Sequence, residues 1–154
     1  MDIFDKSKRS QLMAKVKQKN TAPEIIVRKF LFSKGFRYRI NVKSLSGTPD
    51  IVLSKYKTVI FVHGCFWHRH EGCKHASYPG SNVDFWEKKF AGNIKRDRDA
   101  IAALTDRGWR VVVLWECGLH EADITESLDW LPQVISKGIN NLVEWPPFSP
   151  GTLP

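Results

Sequence analysis

Apolar residues in this chain fall into short blocks whose spacing switches between helical and extended periods. Leu12, Met13 and Val16 share one side of a basic stretch over residues 5–18, which predicts an amphipathic helix. Thr21-Ala22-Pro23-Glu24 predicts a second helix start. Threonine can cap, proline suits the first turn, and glutamate follows three residues later, as in a capping box. That helix runs through Ile25, Ile26, Phe30 and Leu31 to a stop at Gly35. Over 36–41 the period becomes two: Phe36, Tyr38 and Ile40 alternate with Arg37, Arg39 and Asn41, a half-exposed strand with a basic outer face. Residues 44–48 then form a loop. The runs 51–53 and 58–62 are apolar almost throughout and are separated by a turn near 55–57. They predict a hairpin buried on both faces.

Beyond an irregular stretch over 75–82, residues 83–107 predict a helix broken near Gly92. Its second part places Ile94, Ile101, Ala102 and Leu104 on a core face. Residues 110–115 form another buried strand, and 121–137 a final amphipathic helix. A hairpin followed by helix and strand implies an α/β fold: a single domain with a central mixed sheet flanked by helices. The expected organisation is a basic arm over 1–20, a folded domain over 21–140 and a proline-rich, extended tail over 141–154.

One stretch fits neither period. His63-Gly64-Cys65-Phe66-Trp67-His68-Arg69-His70-Glu71-Gly72-Cys73 holds three histidines and two of the three cysteines, is interrupted by two glycines, and predicts a loop rather than a helix or strand. Cys65, His70 and Cys73 follow C-x4-H-x2-C spacing. Cys117, at the end of the strand over 110–115, can complete a tetrahedral set of three thiolates and one imidazole. Such a closed set suits structural zinc that staples the loop to the sheet. The alternative is that Cys117 is a buried core thiol and no metal binds.

Composition narrows the function. No apolar run approaches a membrane span, and the N-terminus lacks a secretory h-region, so a cytoplasmic protein with free or metal-bound thiols is expected. The net charge of +8 is uneven: residues 1–117 carry +12 and residues 118–154 carry −4. A basic body with six tryptophans points to nucleic acid, phosphates attracting the charge and flat rings stacking on bases. With His70 given to zinc, His63 and His68 remain, and the hairpin brings Asp50 towards them. A carboxylate beside imidazoles suits a magnesium ion with Asp50 and a strand carbonyl such as that of Val62 as ligands, a site fit for phosphodiester hydrolysis. On these residues alone, Glu24 reads as a cap, Asp97 as a surface charge, and Phe66 and Trp67 as either core or exposed rings.

At this point several strings become recognisable together. His63-Gly64-Cys65-Phe66-Trp67-His68, preceded by Pro49-Asp50, recurs with Phe85-Trp86, Asn93, Arg96-Asp97-Arg98, Gly108-Trp109-Arg110 and Trp115-Glu116-Cys117. This set closely resembles the very-short-patch repair (Vsr) endonucleases across most of the chain, from about residue 5 to 119. The resemblance implies a restriction-endonuclease-like fold with a zinc-stapled loop. It implies a magnesium-dependent nick 5′ of the thymine in a T·G mismatch of double-stranded DNA. Asp50 and the Val62 carbonyl would bind magnesium. His68 would transfer protons, oriented by Asp97, while His63 and Glu24 would support metal-bound waters. Zinc would sit on Cys65, His70, Cys73 and Cys117. Phe66, Trp67 and Trp86 would wedge into the base stack, with Met13 entering from the opposite side. The expected setting is a nucleoid-associated monomer, with mismatch-repair proteins as candidate partners. The two-residue gap between His70 and Cys73 departs from the family pattern by one residue. Two other readings stay in view: a restriction-type enzyme on matched duplex, and a zinc-stapled DNA-binding module without catalysis.

Overall fold

The computed structural model describes residues 20–120 and 124–147. The helix expected over 5–18, with Met13, lies outside these residues. The first described helix, α1 (Ala22–Ser33), starts as the sequence predicts, with the Thr21 hydroxyl accepting from the Glu24 N–H. The return arm of the capping box is displaced by one residue: the Glu24 carboxylate accepts from the Asn20 N–H at 2.9 Å. The helix ends in a Schellman motif. Gly35 takes φ +88°, its N–H donates to Phe32, and the Phe36 N–H donates to Leu31.

Strands β1 (Arg39–Ile40), β2 (Ile51–Leu53), β3 (Thr58–His63), β4 (Arg110–Trp115) and β5 (Leu142–Trp145) stand in that order in one sheet of the described residues. The pairs β1–β2 and β2–β3 are antiparallel, whereas β3–β4 and β4–β5 are parallel. The sheet is therefore mixed, as the element order implies. The hairpin register sets Ile51 opposite Ile60, and the parallel register sets His63 opposite Trp115 at the carboxyl ends of β3 and β4.

Alternation along these buried strands feeds two cores. Ile51, Leu53, Ile60, Val112 and Leu114 face Val27, Phe30 and Leu31 of α1 together with Leu128, Leu131 and Ile135. Val52, Val59, Phe61, Val111, Val113 and Trp115 face Leu104 of the long helix and Cys65 and Cys73 of the central loop. Each fully buried aliphatic side chain contributes about 1.5–3 kcal/mol, so the double-faced burial is what makes β3 and β4 a rigid platform.

Four sequence expectations change. The helix α3 (Val83–Asp106) is continuous through Gly92. A mid-helix glycine costs only about 1 kcal/mol, and buried Trp86 and Phe90 before it and Ala100 and Leu104 after it hold the helix straight through. Its core face runs through Ala100 and Leu104 with Ile101 packed alongside, while Ala102 is exposed. The expected single helix over 121–137 is two pieces among the described residues, α4 (Ile124–Ser127) and α5 (Leu131–Lys137), with Pro132 in the first turn of the second. Finally, part of the expected tail is sheet: β5 pairs with β4, with Val111 opposite Leu142 and Leu114 opposite Trp145. Among the described residues no helix is long and apolar enough to cross a membrane.

Candidate active site and metal cluster

The central loop opens with one helical turn, α2 (Cys65–His68), in place of the irregular start expected. A single turn needs no apolar stripe. Its entry is Gly64, whose carbonyl accepts from the His68 N–H, and its exit is Arg69 in the left-handed region. The turn begins where β3 ends, so it stands at the carboxyl edge of the sheet, where β3 and β4 run parallel.

His68 leaves this turn towards α3. Its Nδ1 lies 2.7 Å from Oδ2 of Asp97, a bond that does not engage Nε2. In the neutral ring that pairing makes Nδ1 the donor and leaves Nε2 as the acceptor. His63 lies parallel to His68, with ring centroids 3.9 Å apart and 4° between planes. Its Nε2 is 4.0 Å from the other Asp97 oxygen, and Trp115 packs edge-on at 5.2 Å. Burial, and then the charge of neighbouring His68, hold the His63 imidazole well below its usual range, so it is neutral. Its Nδ1 is buried without a hydrogen-bond partner among the described residues.

Asp50 enters from the start of β2. One carboxylate oxygen accepts from the Val62 N–H across the hairpin at 2.7 Å. Burial is the largest influence on this group and pushes it up to about 7; nearby Glu24 adds to the shift, while the Val62 bond, His68 and Arg28 oppose it. His68 is thus one of the charges that Asp50 senses, as expected for a carboxylate beside this histidine pair. Glu24 is buried and bound by the Asn20 N–H, the Thr21 hydroxyl and the Arg28 guanidinium. It serves both as a cap and as a second negative charge beside Asp50. A buried carboxylate kept near neutrality by desolvation is a group that a divalent cation would ionise, so Asp50 fits a hard metal ion.

The same loop interleaves this site with a second, closed one, Cys65 falling between His63 and His68 and His70 two residues beyond. Ligand atoms of Cys65, His70, Cys73 and Cys117 all lie within 4.8 Å of one another and could hold a metal ion. The Sγ atoms of Cys65 and Cys117 stand 3.7 and 3.5 Å from Nδ1 of His70. A zinc tetrahedron with ordinary bond lengths has a sulfur–nitrogen edge of about 3.5 Å. Nε2 of His70 lies 2.8 Å from the Pro146 carbonyl, which forces the proton onto Nε2 and leaves Nδ1 free to ligate. The ring is also stacked on Trp115, with 4.4 Å between centroids. Burial, and then the charges of the neighbouring sulfurs, push the thiols of Cys65 and Cys117 up, so the cluster needs a cation to become thiolate.

Between the two centres α2 carries Phe66 and Trp67. They meet edge to face at 5.2 Å, and each packs on Trp86 of α3, at 5.6 and 5.9 Å. Trp86 is itself buried, so it backs the two rings; the exposed aromatic beside it is Phe85. Asn93 donates to the Trp67 carbonyl at 2.9 Å, fixing the turn to α3.

The relatives of this chain bear on the site. The family model described as DNA mismatch endonuclease Vsr matches residues 1–75. The type II nicking enzyme V.NmeAIP of Neisseria meningitidis serogroup A is 50% identical over 139 residues, spanning 90% of this chain and 99% of its own. The type II nicking enzyme V.XorIIP of Xanthomonas oryzae pv. oryzae is 45% identical over 126 residues, 82% of this chain and 92% of its own. The DNA mismatch endonuclease Vsr of Escherichia coli K12 is 36% identical over 154 residues, covering 92% of this chain and 98% of its own. The chain belongs to the DNA mismatch endonuclease Vsr family. The mixed α/β sheet accordingly has the restriction-endonuclease-like fold class expected for that family.

Within this Vsr-family site, sequence reasoning overlooked several partners. The Pro146 carbonyl behind His70 lies in a proline-rich stretch whose sequence predicts only an extended tail. Arg28, four residues after Glu24, carried a helical-spacing signal that could have exposed the ion pair at 3.0 Å. Trp115 touches both His63 and His70, a convergence that only the strand register creates.

Proposed function

We propose that this protein nicks double-stranded DNA on the 5′ side of the thymine in T·G mismatches, the product of 5-methylcytosine deamination, and so initiates very short patch repair. One observation carries the reading: the single turn α2 holds a cluster cysteine, two aromatic rings in edge-to-face contact and the Asp97-bound His68 within four residues. A base-stack wedge and a proton-transfer group built on one rigid turn keep a constant distance, so distorting the mismatch also delivers the scissile bond. A wobble pair is weakly stacked, and wedging there costs less than at a matched pair.

In this reading Asp50, with the Val62 carbonyl, holds magnesium, which supplies charge neutralisation at the phosphate and an activated water. Asp97 keeps the His68 proton on Nδ1 and presents Nε2 to the reacting oxygens. Neutral His63 stacks under His68 and limits its rotation, and Glu24 supports the water shell from behind Asp50. Phe66 and Trp67 form the wedge, Trp86 buttresses it, and Met13 on the basic arm over 1–20 enters from the other side. Cys65, His70, Cys73 and Cys117 hold zinc, which fastens the turn to β4. The protein works as a monomer on nucleoid DNA, with mismatch-repair proteins as its protein partners. A strand-resolved nicking assay with magnesium, comparing T·G, T·A and C·G at one position in several contexts, tests this. A single cut 5′ of T in T·G alone is expected; cutting of matched duplex would replace the reading with a restriction-type one.

A further inference from the structure

Arg69 and Tyr78 are not needed by the site described above, yet they are bound tightly to it. Arg69 follows His68 with φ +59°, a conformation disfavoured for a residue with a Cβ. Its side chain gives a reason for the conformation. The guanidinium donates to the carbonyls of Phe66 at 3.1 Å, Ser77 at 3.0 Å and Ala76 at 2.6 Å. It thus ties the wedge turn to the irregular segment over 75–82. The same group stands over two rings that meet edge to face, 4.2 Å from the Tyr78 centroid and 4.0 Å from that of Phe90.

Tyr78 is held by this clamp yet is 75% exposed. An aromatic ring fixed on one face by a cation and presented to solvent on the other has the form of a stacking platform. Its position suits that use. Phe66 contacts Phe90 at 5.3 Å, and Phe90 contacts Tyr78 at 6.1 Å, so Tyr78 lies no more than about 11 Å from the wedge, roughly three base-pair steps. Arg69 and Tyr78 also line, together with His68, Asp97 and Arg98, one groove of about 630 Å³.

We propose that Tyr78, positioned by Arg69, stacks on a nucleotide within three base pairs of the wedged step and sets which flanking sequences the enzyme accepts. The proposal rests on the wedge-and-nick reading of the site. A wedge strips one base of its stacking partner, and a fixed ring close by offers a replacement whose benefit depends on which base is presented.

The test measures kcat/KM for the full chain on T·G duplexes with the three pairs on each side randomised. Tyr78→Ala should lose roughly tenfold in the wild-type enzyme's preferred context and much less in the poorest, so the spread between contexts narrows. The affected positions should all fall within three pairs of the T·G. Tyr78→Phe keeps the ring and should keep the preference. Arg69→Lys keeps the charge but loses the forked bonds and should narrow the spread as Tyr78→Ala does. The Tm of Tyr78→Ala should match wild type, because the ring is exposed. An equal loss in every context, or an unchanged spread, overturns the proposal. If the wild-type enzyme nicks matched duplex in place of T·G, the mismatch reading fails, and the same Tyr78 comparison on the cut sequences decides this one.

Discussion

The two clusters that meet at the central loop both draw a histidine from it two positions apart, yet they behave as opposites. At Cys65, His70, Cys73 and Cys117 every ligand atom points inward, and the imidazole is locked by Trp115 and the Pro146 carbonyl. At Asp50, His63, His68 and Asp97 the groups are left unfinished. Asp50 is buried with its carboxyl pushed up to about 7, His63 Nδ1 has no hydrogen-bond partner among the described residues, and His68 is half-exposed. A saturated donor set can only hold; an unsaturated one can take a proton, a cation or a phosphate oxygen. His68 and His70 differ by two positions, and what separates their roles is the partner each ring meets: a carboxylate from α3 or a carbonyl from the far end of β5.

Substitutions on each side should therefore fail differently. The largest effect is expected at the closed cluster. Cys117→Ser should release its metal, and because structural zinc contributes on the order of 10 kcal/mol of folding free energy, the variant should lose its cooperative thermal transition. Metal content by atomic emission and a melting curve check this; stoichiometric metal in a variant of wild-type Tm would show that Cys117 is not a ligand.

Next comes Asp50→Asn. Nicking should fall by on the order of a thousandfold, about 4 kcal/mol, while DNA binding persists. Stability should move the other way. The Asp50 carboxyl is raised in the folded protein above its unfolded value near 3.8. The folded state therefore binds the extra proton between pH 4 and 7, and metal-free stability falls as pH rises through that window. Asp50→Asn removes the loss, so without divalent metal its Tm at pH 8 should exceed that of wild type, and the two should converge near pH 4. A lower Tm for the variant at pH 8 would mean that Asp50 is stabilising as a charge.

The smallest of the three sharpens the open site internally. His68→Ala should reduce kcat by about a hundredfold or more, and Asp97→Asn by less. The double variant should be no worse than His68→Ala, since Asp97 acts through the ring. Additive losses would give Asp97 a separate task.

Much of this architecture was readable from local chemistry. The cap at Thr21, the Gly35 stop and the apolar blocks at 51–53, 58–62 and 110–115 each specify their element through contacts only a few residues long. Leu142-Val143-Glu144-Trp145 alternates in burial only once paired with β4; its sequence lacks that alternation, and the prolines that follow predict a tail. The 24-residue helix shows the limit from the other side, because packing on both sides of Gly92 outweighs a local penalty of about 1 kcal/mol.

The site divides in the same way. Donor types and short spacings are properties of the chain, so Cys65, His70 and Cys73 could be grouped as a candidate set from sequence alone. Which histidine faces which partner is not, because it depends on registers and helix positions set tens of residues away. His63 stands beside Trp115 because β3 and β4 run parallel with those two residues paired. His68 meets Asp97, twenty-nine residues on, because α3 crosses back over the sheet. His70 meets the Pro146 carbonyl, seventy-six residues on, because β5 closes the edge beside β4. Short-range chemistry determined what each residue could do, and the long-range packing of buried strands decided which of those things it is placed to do.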